Sequence, residues 1–465
     1  MDWVVEELLG ADFGDVRLTD RMIQLVEKLS ERPGASVPAA CGTVAAAKAA
    51  YRFWSNPAVS VEGVLEPHRQ QTARRAHEHP VVLVAQDTTE INLTSHAKTS
   101  GLGYLGSTEC RGLMMHNLLA ISPEGTPLGV LQERFWARPP KEQGKRRTRN
   151  KRSIEEKESR RWLDGVAVAE AALPNHPHVV VVGDRESDIY DLFAMPRSSR
   201  TDLLVRIRDR RRRVEHAAKY LGAAINESPP RCETTIDVPR ANGRPFRQAV
   251  LTLRWEQLIL CRPANHLGEA PEKPVQLYFL SAREENPPPG QPPIDWLLAS
   301  SQPIGSLEEA LEVLTWYLYR WRIEQFHYVL KSGCLIERLQ LATAESMKRA
   351  IATFSIVAWR LLWLTYEARR RPEATCTRVL NEQEWQVAYR ALHPRKPLPD
   401  APPTLSEATR WIAQLGGFLG RKHDGQPGVA TLWRGWRRLE DLLIGYRLAA
   451  NVAPQPPPAS NASCG

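Results

Sequence analysis

The sequence predicts an α/β core that carries an antiparallel β insertion and is flanked by all-helical segments at both ends. Three observations predict it. VVLVAQD (81–87) and HVVVVGD (178–184) are buried-strand runs that each close on a carboxylate, with helical stretches between and after them. Residues 231–290 alternate apolar and polar in strand fashion with no helix between the strands. Residues 1–70 and the region beyond Arg371 read as helices separated by Ser and Pro punctuation.

In chain order, helices are expected over Leu18–Arg32, Thr43–Trp54 and Val61–Arg75, divided by SERPGASVP and SNPAVS. A small helical module of this kind either docks on DNA or packs on its neighbour. After the first apolar run, MMHNLLAI and TPLGVLQERFWA read as a pair of strands. A helix over Ile154–Leu173 precedes the second run; a helix over Ser187–Phe193 and the strand LLVRIR follow it. TTIDVP, FRQAVLTLRW and PVQLYFLSA form the insertion. Ser306–Gly333 reads as one long helix, Ala344–Arg371 as another, and Glu407–Leu415 and Thr431–Ala449 as the clearest helices near the C-terminus. The tail 454–465 is rich in Pro, Ala and Ser and is expected to be disordered.

Lys and Arg number 62 against 53 Asp and Glu, so the 465-residue chain carries net charge +9, which favours a polyanionic partner. The seven cysteines are scattered and form no C-x-x-C pair, arguing against a zinc site or a disulfide framework and for a reducing compartment. The acidic start MDWVVEELLGADFGD is no signal peptide. The most apolar stretch, Ile351–Tyr366, is interrupted by Arg360 and too short to span a bilayer. A soluble cytoplasmic protein without membrane partners is expected.

The stretch YLYRWRIEQFHYVLK (317–331) carries the strongest functional signal. On an α-helix, Tyr317, Arg320, Glu324 and Lys331 point in directions of about 0°, 300°, 340° and 320°. One stripe therefore holds a single carboxylate between an aromatic hydroxyl and two cations, while Ile323, Phe326 and Leu330 lie opposite. Such a stripe suits a site that handles metal and phosphate together; a solvated charged face would read the same way. Asp87 and Asp184 sit where ligands gather in open α/β sheets, although either alone is also an ordinary turn-former. With Glu324 they make a hard-oxygen triad suited to Mg²⁺ or Mn²⁺ rather than zinc.

QDTTEINL (86–93), GDRESDIYDLF (183–193) and Y-x2-R-x3-E-x6-K (317–331) resemble the DDE motifs of bacterial cut-and-paste transposases. The nearest type is that of transposon Tn-five, within the insertion-sequence-four family. The resemblance runs nearly end to end: GDVRLTDR and AAYRFWSNPAVS are similar to the end-binding domain of that type. MMHN, FWARP and EKESRRW resemble blocks of its catalytic domain, and WIAQLGGFLGRKHDGQPGVATLWRGW its dimerisation region.

The resemblance implies an RNase H-like catalytic domain over 71–371, interrupted by the insertion (231–290), between an end-binding domain (1–70) and a helical dimerisation domain (372–453). It implies that Asp87, Asp184 and Glu324 hold two Mg²⁺ ions, with Mn²⁺ able to substitute, and that Tyr317, Arg320 and Lys331 grip phosphates. It further implies that Trp296 receives a base flipped out during hairpin formation and that Arg206 contacts DNA; a core or hinge aromatic and a strand-end charge are the structural alternatives. Double-stranded DNA and a second copy of the chain are the implied partners, in a bacterial, nucleoid-associated setting. Relatives carry a lysine where this chain has Tyr328, which weakens phosphate grip there unless the tyrosine supplies a hydroxyl contact or a stack.

Two basic runs, KRRTRNKR (145–152) and RIRDRRRR (206–213, including Arg208), are candidates for salt-sensitive phosphate contact. His116 and His327 lack metal-ligand spacing and read as structural or supporting residues. Two other functions fit the same residues: an end-binding regulatory protein that does not cut, and a sequence-nonspecific nuclease of the RNase H fold.

Overall fold

Polar residues at the breaks in the N-terminal sequence act as helix caps, which explains where each helix starts. In the computed structural model, which describes residues 3–106, 109–139, 152–238, 246–267, 274–421 and 425–452, this segment holds five helices. They are α1 (Trp3–Glu7), α2 (Val16–Glu31), α3 (Val37–Cys41), α4 (Val44–Ser55) and α5 (Val61–Ala76). Asp15, Ser36, Thr43 and Ser60 each accept a backbone N–H of the first turn that follows. Of the first basic run only Arg152 falls within the described residues, and the tail 454–465 falls outside them.

The core is one ten-stranded sheet. Its strands are β1 (Val82–Asn92), β2 (Gly103–Tyr104), β3 (Arg111–Ile121), β4 (Pro127–Trp136), and, after α6 (Arg160–Ala172), β5 (Val179–Gly183). Next come α7 (Tyr190–Ala194), β6 (Thr201–Arg206), α8 (Leu221–Glu227), β7 (Cys232–Val238), β8 (Arg247–Leu260), β9 (Val275–Arg283) and β10 (Asp295–Ser300). β4, β3 and β1 are antiparallel, and β1, β5 and β6 are parallel. This mixed sheet with helices on its faces is the RNase H-like core that was expected. The insertion is not a separate layer. β10, β9, β8 and β7 continue the same sheet antiparallel from β6, because β10 closes on β6 through Leu298, Ala299 and Ser300.

Three sequence expectations change here. The helix over Ile154–Leu173 begins only at Arg160, and the one over Ser187–Phe193 is a 3-10 turn (Arg185–Ser187) followed by α7. The helix expected over Ser306–Gly333 starts with a Ser306–Glu309 capping box but is not uniform. It divides into α9 (Leu307–Tyr319) and α10 (Trp321–Tyr328) at Arg320, then widens to a π-helical turn over Val329–Gly333, where Cys334 N–H reaches Val329 O at 2.8 Å. Apolar periodicity cannot register either change, since both keep the backbone helical.

α11 (Ala344–Arg370) is the most buried helix and unites the modules. Trp54 of α4 donates its indole N–H to Thr353 at 3.1 Å, and Arg349 donates to Trp54 O at 2.9 Å. α12 (Glu382–Leu392), α13 (Leu405–Leu415) and α14 (Val429–Val452) form the C-terminal helical region with their own apolar cluster. Gly34, Gly333 and Trp433 meet at one point; a Cβ on Gly34 would stand 3.0 Å from Gly333 O and 3.2 Å from the Trp433 ring.

A buried ion cluster fixes the N-terminus. Glu7 accepts two hydrogen bonds from Arg75, at 2.7 and 2.9 Å, and one from His68 Nδ1 at 2.5 Å. His68 Nε2 in turn accepts Val130 N–H at 2.9 Å, so the ring is held as the neutral Nδ1–H tautomer. Burial alone would raise the Glu7 carboxyl, but His68 and Arg75 outweigh it and hold the group well below its ordinary 4.5. A carboxylate lowered on folding adds stability above its unfolded value and loses it as pH falls through the folded value. Glu7→Gln should therefore destabilise the protein by about 3–5 kcal/mol near neutrality, and the gap between native and variant should close as pH drops below 4.5. Denaturant unfolding at a series of pH values measures both; an unchanged gap would remove the ion cluster from the stability of the fold.

Candidate active site

The site forms where β1 outruns its parallel neighbour. β1 and β5 pair in register as far as Ala85 with Val182, so two residues on, Asp87 lies beside Asp184. β5 ends at Gly183, whereas β1 continues against β3 to Asn92. Asp87 is thus an interior strand residue, not the strand end that the sequence implied. The turn after β5 explains GDRES: the Asp184 side chain accepts Glu186 N–H at 2.8 Å, and Ser187 Oγ donates to Asp184 O at 2.6 Å. A Cβ at position 183 would stand 2.2 Å from Ser187 Oγ, so that position needs glycine.

α10 brings Glu324 to these two aspartates. Asp87 feels both: burial, with Asp184 and Glu324 adding to it and Arg320 opposing, pushes its carboxyl up to about 7. Arg320, nearly buried, donates to Glu324 at 2.6 Å, and its Nε has no hydrogen-bond partner among the described residues. Lys331, in the π turn, is pushed down by burial while Glu337, Glu90 and Asp87 pull it back up. Tyr317 is buried rather than exposed on a stripe, with its ring edge-on to Trp296 at 5.7 Å. Arg206 lies 5.9 Å from the Trp296 ring, as the pairing of Leu298 with Arg206 requires, since Trp296 is two residues away on the same face. Trp321 and Tyr328, seven residues apart, are both exposed on α10.

Electrostatic and ring contacts therefore link Asp87, Asp184, Glu324, Tyr317, Arg320, Lys331, Trp296 and Arg206 into one cluster. Among the described residues, no three His, Cys, Asp or Glu side chains stand at metal-ligand separations, and Glu324 is paired with Arg320. The donor set nevertheless fits a hard divalent cation. It is all carboxylate oxygen, and a cation would offset both the burial that chiefly raises the Asp87 carboxyl and the added repulsion from Asp184 and Glu324.

The family of the Transposase DNA-binding domain matches residues 1–59, and the Transposase Tn5 dimerisation domain matches residues 356–454. The chain is a Tn5-type transposase. DNA and a second copy of the chain are accordingly its partners. The dimerisation match begins at Ile356, inside α11, so the most buried helix runs from outside this match into it. No helix of the described residues is long and apolar enough to cross a membrane.

Two features of this transposase lay outside the sequence reading. Asp188 of GDRESD is buried and anchors the second basic run: its Oδ2 accepts Arg208 and Asp209 N–H at 2.8 and 3.0 Å, and its Oδ1 accepts Arg212 Nε at 2.7 Å. Arg210 is tied to Asp295 at 2.5 Å. Arg208, Arg211 and Arg213 are exposed, so the run divides into braces and outward cations. The second feature is a polar row across the sheet floor, described below; Asn117 within the apolar MMHNLLAI was its one visible sign.

Replacing Arg208, Arg211 and Arg213 with Ala should flatten the slope of log binding constant against log salt by about 2–3, near 0.9 per lost phosphate contact. Arg212→Ala should lower the melting temperature and leave that slope nearly unchanged. Anisotropy titrations on duplex DNA at several salt concentrations separate the two, and an unchanged slope for the triple variant would remove this loop from the DNA path.

Proposed function

We propose that this transposase binds the inverted terminal repeats of a transposon, pairs two ends in a dimeric synaptic complex, hydrolyses each end and transfers the 3′-OH ends into target DNA. The observation that supports it most is the placement of Asp184, just past the end of β5, next to Asp87 on the parallel strand β1, with Glu324 close enough to perturb Asp87. Adjacent strands stand about 4.8 Å apart, a spacing at which two carboxylates can share a cation. Asp87, Asp184 and Glu324 would hold two Mg²⁺ ions, or Mn²⁺ in their place, which when bound activate the attacking oxygen and stabilise the leaving one.

The remaining residues bind and orient. The unpaired Nε of Arg320 offers a buried donor to a phosphate oxygen, and the Arg320–Glu324 pair must exchange partners when DNA and cations arrive. Lys331 and the Tyr317 hydroxyl add donors on the same side. Trp296 is half-exposed, between Arg206 and Tyr317, and presents an aromatic surface to an extruded base during hairpin formation. Water and a 3′-OH serve in turn as nucleophile at one triad, because hydrolysis, hairpin formation and strand transfer are all in-line displacements at phosphorus. In the dimer each subunit acts on the end bound by its partner. Domain limits of 1–70, 71–371 and 372–453 complete this reading.

Glu324→Ala should lower cleavage of a terminal-repeat duplex by roughly a thousandfold or more while end binding persists. Persistent cleavage would sink the triad assignment. The unmodified protein should cut that duplex and spare one without the repeats; equal cutting would mark a nonspecific nuclease, and binding without cutting an end-binding regulator. Trp296→Ala should leave first-strand nicking close to native and reduce hairpin yield about tenfold, as loss of a base stack of about 1–3 kcal/mol implies. Denaturing gels of end-labelled duplex distinguish nick from hairpin, and equal loss of both would place Trp296 in the core rather than on the base.

A further inference from the structure

Beneath Asp87 the sheet carries a row of polar side chains where its neighbours are apolar. In the paired register Asp87 of β1 faces Asn117 of β3, and Asn117 faces Glu133 of β4. Asn117 and Glu133 are buried, and burying polar groups costs free energy unless they are hydrogen-bonded. Glu133 Oε1 accepts from Asn117 Nδ2 at 2.9 Å and from Ser355 Oγ of α11 at 2.6 Å, while Oε2 has no partner. Asn117 Oδ1 then meets His327 Nε2 of α10 at 3.0 Å. His327 Nδ1 lies 3.6 Å from Asp87 Oδ2, too far for a direct hydrogen bond.

The polarity of this chain follows from its far end. Glu133 Oε1 is an acceptor whether the carboxyl is ionised or carries a proton on Oε2, so the Asn117 amide must present its NH₂ to Glu133. Its carbonyl is thereby turned to His327, whose Nε2 must carry the proton. No hydrogen bond joins Nδ1 to Asp87 across that 3.6 Å, and in a neutral ring with its proton on Nε2 the Nδ1 atom holds only a lone pair. An N–H at that point would donate towards Asp87 and offset the charge that a cation requires, whereas a lone pair leaves the carboxylate free and can accept a hydrogen bond from water bound beside it.

We propose that Glu133, acting through Asn117 and His327, is a positioning residue of the transposase: it fixes His327 as the Nε2–H tautomer and so keeps Asp87 available to divalent cation. This rests on the assignment of Asp87 to the site proposed above. Buried groups that orient ligands in this way typically alter metal affinity by roughly 10–100-fold when removed.

The test uses full-length protein labelled with ¹⁵N-histidine, with the His327 imidazole signal assigned by its loss in His327→Gln. Long-range ¹H–¹⁵N spectra should show the Nε2–H tautomer in the native protein and in Glu133→Gln, whose amide oxygen can accept the same bonds. Glu133→Leu should populate the Nδ1–H form. The Mn²⁺ concentration giving half-maximal thermal stabilisation should rise roughly tenfold or more in Glu133→Leu and stay near native in Glu133→Gln, with end binding unchanged in both. A native Nδ1–H tautomer would overturn the proposal, whether or not the leucine variant folds. So would a leucine variant with native tautomer and native Mn²⁺ requirement, or a glutamine variant as impaired as the leucine one. Failure of the native protein to cut DNA would instead count against the reaction, because the tautomer and Mn²⁺ stabilisation are read without it.

Discussion

The parallel pairing of β1 with β5 is the constraint on which the site depends. Four backbone pairs, Val82 to Ala85 against Val179 to Val182, set the level at which two distant segments of sequence present their carboxylates. A slip of one residue would turn one aspartate to the opposite face of the sheet. The apolar side chains that prevent such a slip are buried on both faces, in two separate clusters, so the register is fixed by the core and not by the charged residues that benefit from it. β5 stops while β1 continues, and α10 packs against β1.

The electrostatics divide into paired and unpaired charge. Glu7, Asp188 and Glu284 are carboxylates with arginine partners at close range, and they hold segments in place. At the site Glu324 is paired with Arg320, while the Asp87 carboxyl is raised chiefly by burial, with Asp184 and Glu324 adding to it. The same division runs through the arginines of 206–213, where Arg210 and Arg212 brace the loop and the exposed ones face solvent.

Much of this was legible before any coordinates. Asp87, Asp184, Glu324 and the residues around Tyr317 lie in short local patterns, and apolar runs ending in carboxylates mark strand ends near a ligand crevice. What escaped was non-local. Glu133 sits in QERFW, where a charged residue in a strand reads as solvent-facing; only its pairing with Asn117 and the approach of Ser355 from α11 show it to be buried. Asp188 looked like one acid among several, and its role depends on a loop twenty residues further on. The division of the catalytic helix at Arg320 was invisible because the residues on either side keep helical spacing.

The π turn at Val329–Gly333 has a consequence for how this helix can change over time. It holds an extra residue in its turn, so the positions before and after it are counted on different wheels. Tightening the turn to ordinary α geometry with no residue lost would swing everything beyond it by about 100° about the axis, the rotation that the extra residue absorbs. Lys331 would leave the site, or Gly333 would leave its contact with Gly34 and Trp433. The wide turn is therefore as tightly constrained as residue identity, although no single side chain in the turn reveals it.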